Sequence, residues 1–285
     1  MMNNSDIEKD VPAKAKGPVA QFFMSGWSNM VRMMGVNALF IIFNIPAIVL
    51  CYYMSAVFIP MLAPVMKWEA FITITETDGT EAVSYQLLLL LVVYFVMALV
   101  SSLLVCIGPF QAGFAQVYKC IRTNTSVSLF SDFKRGVKEN WGKSLVAMFI
   151  GIVLTVVLLI SIVFYANLGG QSGIVVAMIF GILFYAFILV QNFVYNLMVA
   201  TKLKLGKIYK NAILFVLIRF VPCLGVAFIV LLFYFAIPFF LLMSASYLTL
   251  GIYMFLYSFV VISWVQYFMS YYTGKLIDKY VSTDD

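Results

Sequence analysis

The sequence contains no histidine, and only 11% of its 285 residues are charged. Without histidine the chain has no Ser-His dyad, no histidine-anchored zinc or haem site and no histidine proton relay. Acids are scarcest, 12 Asp plus Glu against 18 Lys plus Arg. Soluble globular chains are about 25% charged and roughly 45–50% apolar. Here the hydrophobic share is 64%, more than a water-soluble core can hide, so a membrane protein is expected. The 27 Phe, 17 Tyr and 4 Trp exclude a disordered chain, and the lack of a long polar stretch excludes a large appended soluble domain.

Cys51, Cys106, Cys120 and Cys223 have no CxxC spacing and lie in or beside apolar segments. They read as small buried hydrophobes, with no disulfide, metal or other cofactor expected. Gly170-Gln171-Ser172-Gly173 spells the string found around intramembrane serine nucleophiles, but no histidine base exists and the string sits in a short turn. No phosphate-cradling glycine loop is present. No catalytic residue is therefore predicted, and the chain is expected not to be an enzyme.

Only a closed helix of about 20 apolar residues satisfies its own backbone inside hydrocarbon. Six stretches qualify: about Gly35 to Ile59, Leu87 to Ile107, Ser144 to Ala166, Ile174 to Ala200, Pro222 to Met243 and Gly251 to Tyr271. The fold class expected is all-α, a polytopic membrane bundle of six transmembrane helices forming a single domain over residues 21–280. Residues 1–20 and 281–285 read as polar tails. The first of these has no apolar h-region and so is not expected to be a cleavable signal peptide.

Lysine and arginine near span ends are retained in the cytoplasm. Assigning the tails and even-numbered loops to one side collects 17 of the 18 basic residues there and leaves only Lys67 opposite. Both termini are thus expected in the cytoplasm, with the positive charge meeting anionic lipid headgroups rather than nucleic acid. The outer loop, about Pro60 to Gln86, carries Asp78-Gly79 between Ile72–Thr77 and Thr80–Tyr85. A small β-hairpin and an ordinary solvated loop both fit it.

Two further stretches have helical periodicity on the cytoplasmic side. Val127, Phe130, Phe133, Val137 and Trp141 recur at spacings of three and four, with Asp132, Lys134, Arg135, Lys138 and Glu139 on the other faces. Ser128 is the candidate N-cap. Phe23, Trp27, Met30, Val31 and Met34 form a similar stripe. Both are expected to be amphipathic helices lying in the interface, either bracing the bundle or docking a protein partner. The candidate docking or interfacial residues are Phe130, Asp132, Phe133, Lys134, Arg135, Lys138 and Trp141.

No Asp or Glu falls within the six spans, which argues against carboxylate proton relays and acidic cation rings. The intramembrane polar cluster consists of Asn37, Asn44, Gln191, Asn192, Tyr195 and Asn196, with Gln266 in the sixth span. Gln191 with Tyr195, and Asn192 with Asn196, are each four apart and share a helix sector. That sector must face protein or water. Interhelical hydrogen bonding and a polar groove for a headgroup or sugar are the two readings.

The segment Gly108-Pro109-Phe110-Gln111-Ala112-Gly113, continuing through Arg122 to Leu129–Lys134 and Asn140–Ser144, resembles the signature of the YesL-like family of bacterial membrane proteins. Val199–Leu205, Ile208–Ala212 and Asn37–Pro46 extend the resemblance. That family has no established activity, and its members are often encoded beside carbohydrate importers and polysaccharide-degrading enzymes. What the resemblance implies is a non-enzymatic accessory or scaffold in the bacterial cell membrane, with subunits of a carbohydrate ABC importer as partner. The runner-up is a permease subunit of an ATP-driven sugar importer. Such subunits usually carry a cytoplasmic EAA loop, whereas Phe133–Ser144 reads FKRGVKENWGKS. A membrane enzyme acting on lipid or glycan ranks last, because acids are expected only at the surfaces.

Overall fold

The computed structural model describes residues 17–62, 81–125, 128–243 and 247–280, and every regular element among them is helical. In chain order these are α1 (Pro18–Ser28), α2 (Met30–Phe43), α3 (Ile45–Leu62), α4 (Glu81–Ser101), α5 (Gly108–Arg122) and α6 (Leu129–Asn167). They continue as α7 (Gly170–Ala200), α8 (Leu205–Ile218), α9 (Phe220–Leu231), α10 (Ile237–Met243), α11 (Tyr247–Leu256) and α12 (Ile262–Tyr280). Five-residue π turns, Leu232–Ala236 and Tyr257–Val261, join α9 to α10 and α11 to α12.

Among the described residues, four stretches have the length and composition to cross a membrane: Leu129–Asn167, Gly170–Ala200, Phe220–Leu241 and Leu248–Tyr280. The pair Met30–Phe43 and Ile45–Ile59 is a fifth if counted as one span, although it bends by 59°. The break falls at Asn44, two residues before Pro46, which has no N–H to donate and crowds the carbonyl four residues back. The second expected span is cut short. Its helix, Glu81–Ser101, ends six residues before Ile107, and Leu103 turns the chain at φ 61° into α5. Glu81–Tyr85, which the hairpin reading assigns to a strand, belongs to the start of α4. Residues 1–16, 63–80 and 281–285 lie outside the described residues, and Pro18–Ala20 of the expected N-terminal tail belong to α1.

Sidedness of burial is that of membrane helices. Along α6, Val146, Phe149, Val153, Val157, Ile160 and Phe164 are exposed, while Ser144, Ala147, Gly151, Thr155, Leu159 and Val163 are buried. Apolar side chains face out and small or polar ones face in, because helices in lipid gain little from hiding oil and associate through close contact and hydrogen bonds. The first half of α7 repeats this with Ile174, Met178 and Ile182 exposed, and its second half is buried from Ile188 to Val199. The turn between the two helices uses Gly169 and Gly170 at φ 69° and 71°, and the GxSG string, expected in a turn, opens α7, where Gly173 leaves room for the Tyr165 carbonyl.

The two amphipathic stretches are not separate elements. Residues from Leu129 run without a break into the third span as one helix of 39 residues, roughly 58 Å long and about twice the hydrocarbon thickness. Ser128 caps it as expected, its hydroxyl accepting from Ser131 N at 3.2 Å. The N-terminal stripe is divided at Asn29, with Phe23 and Trp27 on α1 and Met30, Val31 and Met34 on α2. α1 docks against α12. Phe22 stacks on Tyr267 at 5.3 Å, Ser25 Oγ lies 2.5 Å from Tyr267 Oη, and Gly26 leaves room for the Trp264 ring.

Candidate functional site

The site begins with the hairpin of α5 and α6. A Cβ at Gly108 would overlap the Ser144 carbonyl, one at Gly113 would strike the Phe133 ring, and one at Gly136 would meet the Ala112 carbonyl at 2.7 Å. The two backbones touch, and Pro109 starts α5 at a position whose N–H would be unpaired anyway. The glycines of the GPFQAG motif are therefore packing residues.

Close packing sets which residues of the first α6 turns face inward. Asp132, Phe133, Gly136 and Asn140 are buried against α5, whereas Phe130 is 67% and Trp141 53% exposed, with Lys134, Arg135 and Lys138 also outward. The buried face is thus rotated by roughly a quarter of a turn from the apolar stripe. Asp132, expected on the surface, is inside because small residues rather than large apolar ones define the contact. Its carboxylate accepts from Arg135 Nη2 at 3.1 Å, and the same nitrogen lies 3.0 Å from Cys120 Sγ. Arg135 is therefore committed to this contact. Phe130, Lys134, Lys138 and Trp141, spaced four, four and three apart, form one outward stripe.

At the C-terminal end of α5, Lys119 Nζ donates to the Val199 carbonyl at 2.9 Å, placing a cation at the negative end of α7. Burial pushes the Lys119 ammonium below the ordinary lysine range. The Cys120 thiol and Glu139 oppose that shift, and the Arg122 and Arg135 cations add to it. Arg122 pairs with Asp278 at 3.1 Å and packs its guanidinium over Gly274 of α12.

All six residues of the expected polar cluster are buried, but they divide into three sets. Asn37 Nδ2 donates to the Tyr257 carbonyl at 2.7 Å and its Oδ1 accepts from Ser263 N at 2.6 Å, bridging the π turn of the last span. Asn44 Oδ1 accepts from Ile107 N at 2.8 Å and Gln111 Nε2 at 3.4 Å, so it caps α5 from the bend in the first span. On α7, Gln191 Nε2 donates to the Ala147 carbonyl at 3.2 Å, while its Oε1 accepts from Tyr209 Oη at 3.1 Å. Asn192 Nδ2 donates to the Ser102 and Ile188 carbonyls, Asn196 Nδ2 to the Asn192 carbonyl, and Tyr195 Oη lies 3.6 Å from Cys106 Sγ.

Asn192, Tyr195 and Asn196 line a cavity of about 10 Å³ with Leu103, Gln111, Ala115, Tyr118 and Gln266, whereas Gln191 lies outside its lining. Gln111 and Tyr118 are missing from the sequence-derived cluster. Their signal is the spacing Gln111, Ala115, Tyr118, a single face of α5. The cavity is far too small for a sugar ring or a lipid headgroup. Interhelical hydrogen bonding accounts for most of these amides. The four cysteines are buried free thiols, and no group of three or more potential metal ligands occurs among the described residues.

A second concavity, about 810 Å³, lies between α1 and α12 and is walled almost wholly by apolar side chains, including Phe22, Trp27, Phe233, Trp264 and Phe268. Lys275 stands at its rim, its Nζ 4.8 Å above the Tyr271 ring. One turn on, Arg219 and Lys279 both flank the Tyr280 ring, at 4.9 and 5.4 Å.

No curated protein and no solved structure matches the chain. Residues 87–163 match the family model described as "Protein of unknown function, DUF624", an uncharacterised family that includes the YesL-like proteins. The match runs from within α4 through α5 into α6, and so takes in the packed hairpin and its glycines.

Proposed function

We propose that this chain is a non-enzymatic accessory or scaffold of the bacterial cell membrane that assists a carbohydrate ABC importer through its cytoplasmic face. The observation that carries the reading is the outward stripe Phe130, Lys134, Lys138 and Trp141 at the head of α6. Two exposed aromatic rings flanking two cations, on a helix held rigid by its neighbour, are suited to burying ring area against a partner and steering it by charge. The match of residues 87–163, hairpin included, to the family model that takes in the YesL-like proteins supports the reading.

In this reading the bent α2–α3 pair and α4 supply the first two of six spans, and both termini are cytoplasmic. The 17-to-1 distribution of basic residues supports that orientation. Anionic lipid headgroups meet Lys275, Arg219 and Lys279 at the end of the apolar groove, whose walls suit acyl chains.

Crosslinking in native membranes followed by mass spectrometry tests the partner. Importer subunits should be recovered with the wild-type chain, and Lys134→Glu with Lys138→Glu should reduce their yield at least several-fold while leaving the melting temperature unchanged. Recovery of the chain alone from membranes in which a known importer complex crosslinks would overturn the reading. Sugar-stimulated ATPase activity in vesicles holding only this chain and an ATPase subunit would replace it with a permease.

A further inference from the structure

We infer that the cavity between α5, α7 and α12 is a binding site for one internal water molecule, which accepts hydrogen bonds from Tyr118 and Gln266 and donates to Asn192 and Asn196. Four residues that line this one space each carry a buried polar atom with no hydrogen-bond partner among the described residues: Tyr118 Oη, Asn192 Oδ1, Asn196 Oδ1 and Gln266 Nε2. Their residues are 2%, 1%, 8% and 5% exposed. Buried polar groups are almost always paired, and ordered water is the ordinary partner where protein supplies none. The volume of about 10 Å³ is that of roughly one water-sized sphere.

The hydrogen-bonding chemistry selects the occupant. Both asparagine amides are fixed in orientation, because their Nδ2 groups are engaged by the carbonyls of Ser102, Ile188 and Asn192, so each turns an acceptor oxygen to the cavity. Gln266 Nε2 is a donor, and the Tyr118 hydroxyl supplies another. Two donors and two acceptors complement a water molecule, which has two of each. A monovalent cation would meet the Gln266 amide hydrogens, with no carboxylate among the lining residues to offset its desolvation. The bound water ties the hairpin helix α5 to the α7 and α12 spans, and this inference stands apart from the importer reading.

Millisecond radiolytic hydroxyl labelling of the full chain in lipid nanodiscs, with read-out by mass spectrometry, tests the site, since radicals form from the bound water itself. Tyr118 and Tyr195 should be oxidised at least several-fold faster than Tyr257 and Phe193, which are similarly buried and do not line this cavity. Tyr118→Phe, which keeps the ring and removes one donor, should lower labelling of Tyr195; if that variant does not fold, the wild-type rates alone decide. Labelling of Tyr118 and Tyr195 no faster than the controls would mean a dry cavity and overturn the inference. So would a rise in melting temperature with Na⁺ or K⁺ accompanied by loss of the labelling, which would mean a cation in place of water.

Discussion

At the scale of single residues, the contact between α5 and α6 leaves no room for a side chain. Gly136 faces Gln116 and the Ala112 carbonyl, whereas Gly142, farther along the same helix, has nothing within 4 Å. Gly136→Ala should cost about 1–3 kcal/mol through overpacking. Gly142→Ala should be neutral or stabilise by up to about 1 kcal/mol, since alanine is the better helix former. Thermal unfolding in detergent followed by tryptophan fluorescence distinguishes them, and equal effects would deny that this contact is tight. Lys119 has a pH signature. Because burial lowers its folded pKa, the folded state gives up its proton before the unfolded state does. Stability should therefore rise as pH climbs through the folded pKa toward the unfolded one. Lys119→Met should abolish that rise, as read from melting temperature against pH above neutrality. Gly108, Ala112 and Ala115 were visible in the sequence as a small-residue face for close helix packing, but the helix they pack on was not, because a glycine's neighbours across a helix pair are not sequence neighbours.

Elements are held in place by polar side chains borrowed from other elements. Asn37 of α2 bridges the Tyr257 carbonyl and the Ser263 N–H on either side of a π turn, and Asn44 caps α5 across the bend. Asn37→Leu would strand both backbone groups in an apolar interior, at about 1–3 kcal/mol for each unpaired group. Hydrogen–deuterium exchange should then accelerate over residues 257–263, with α6 unchanged as internal reference; unchanged exchange in the turn would remove the bridge from the account. The bend in the first span is announced by Pro46. The π turns are announced by nothing local, since the group that bridges one of them lies more than 200 residues away in sequence. Periodicity also misplaced the face of α6, because it scores oiliness while the packing here selects small size.

For the whole molecule, composition and charge predict more than any motif does. All four native cysteines are buried, so a cysteine introduced at Asp285 should be the principal site for an impermeant thiol reagent. With both termini cytoplasmic, that site should label in inside-out vesicles and stay unlabelled in intact cells; labelling of intact cells would invert the proposed orientation. Replacing Lys275, Arg219 and Lys279 together by Gln should reduce retention of anionic phospholipid in native mass spectrometry, with zwitterionic lipid little affected. Equal loss of both would leave the groove as an apolar surface without headgroup preference.

Long unbroken apolar runs determined that this chain is helical and membrane-like, because such a run pairs its own backbone in lipid only as a helix, whereas barrel strands alternate apolar with polar residues. The sequence also determined which amides and glycines would matter, since polar and small residues are rare enough in apolar helices to stand out. Tertiary structure decided where those residues point. It turned Asp132 inward, left Phe130 and Trp141 outside, divided the six polar residues into three sets and gathered Tyr118, Asn192, Asn196 and Gln266 around one cavity. Each outcome depends on the distance between helices far apart in the chain, and that distance is set by atoms that only meet once the bundle has formed.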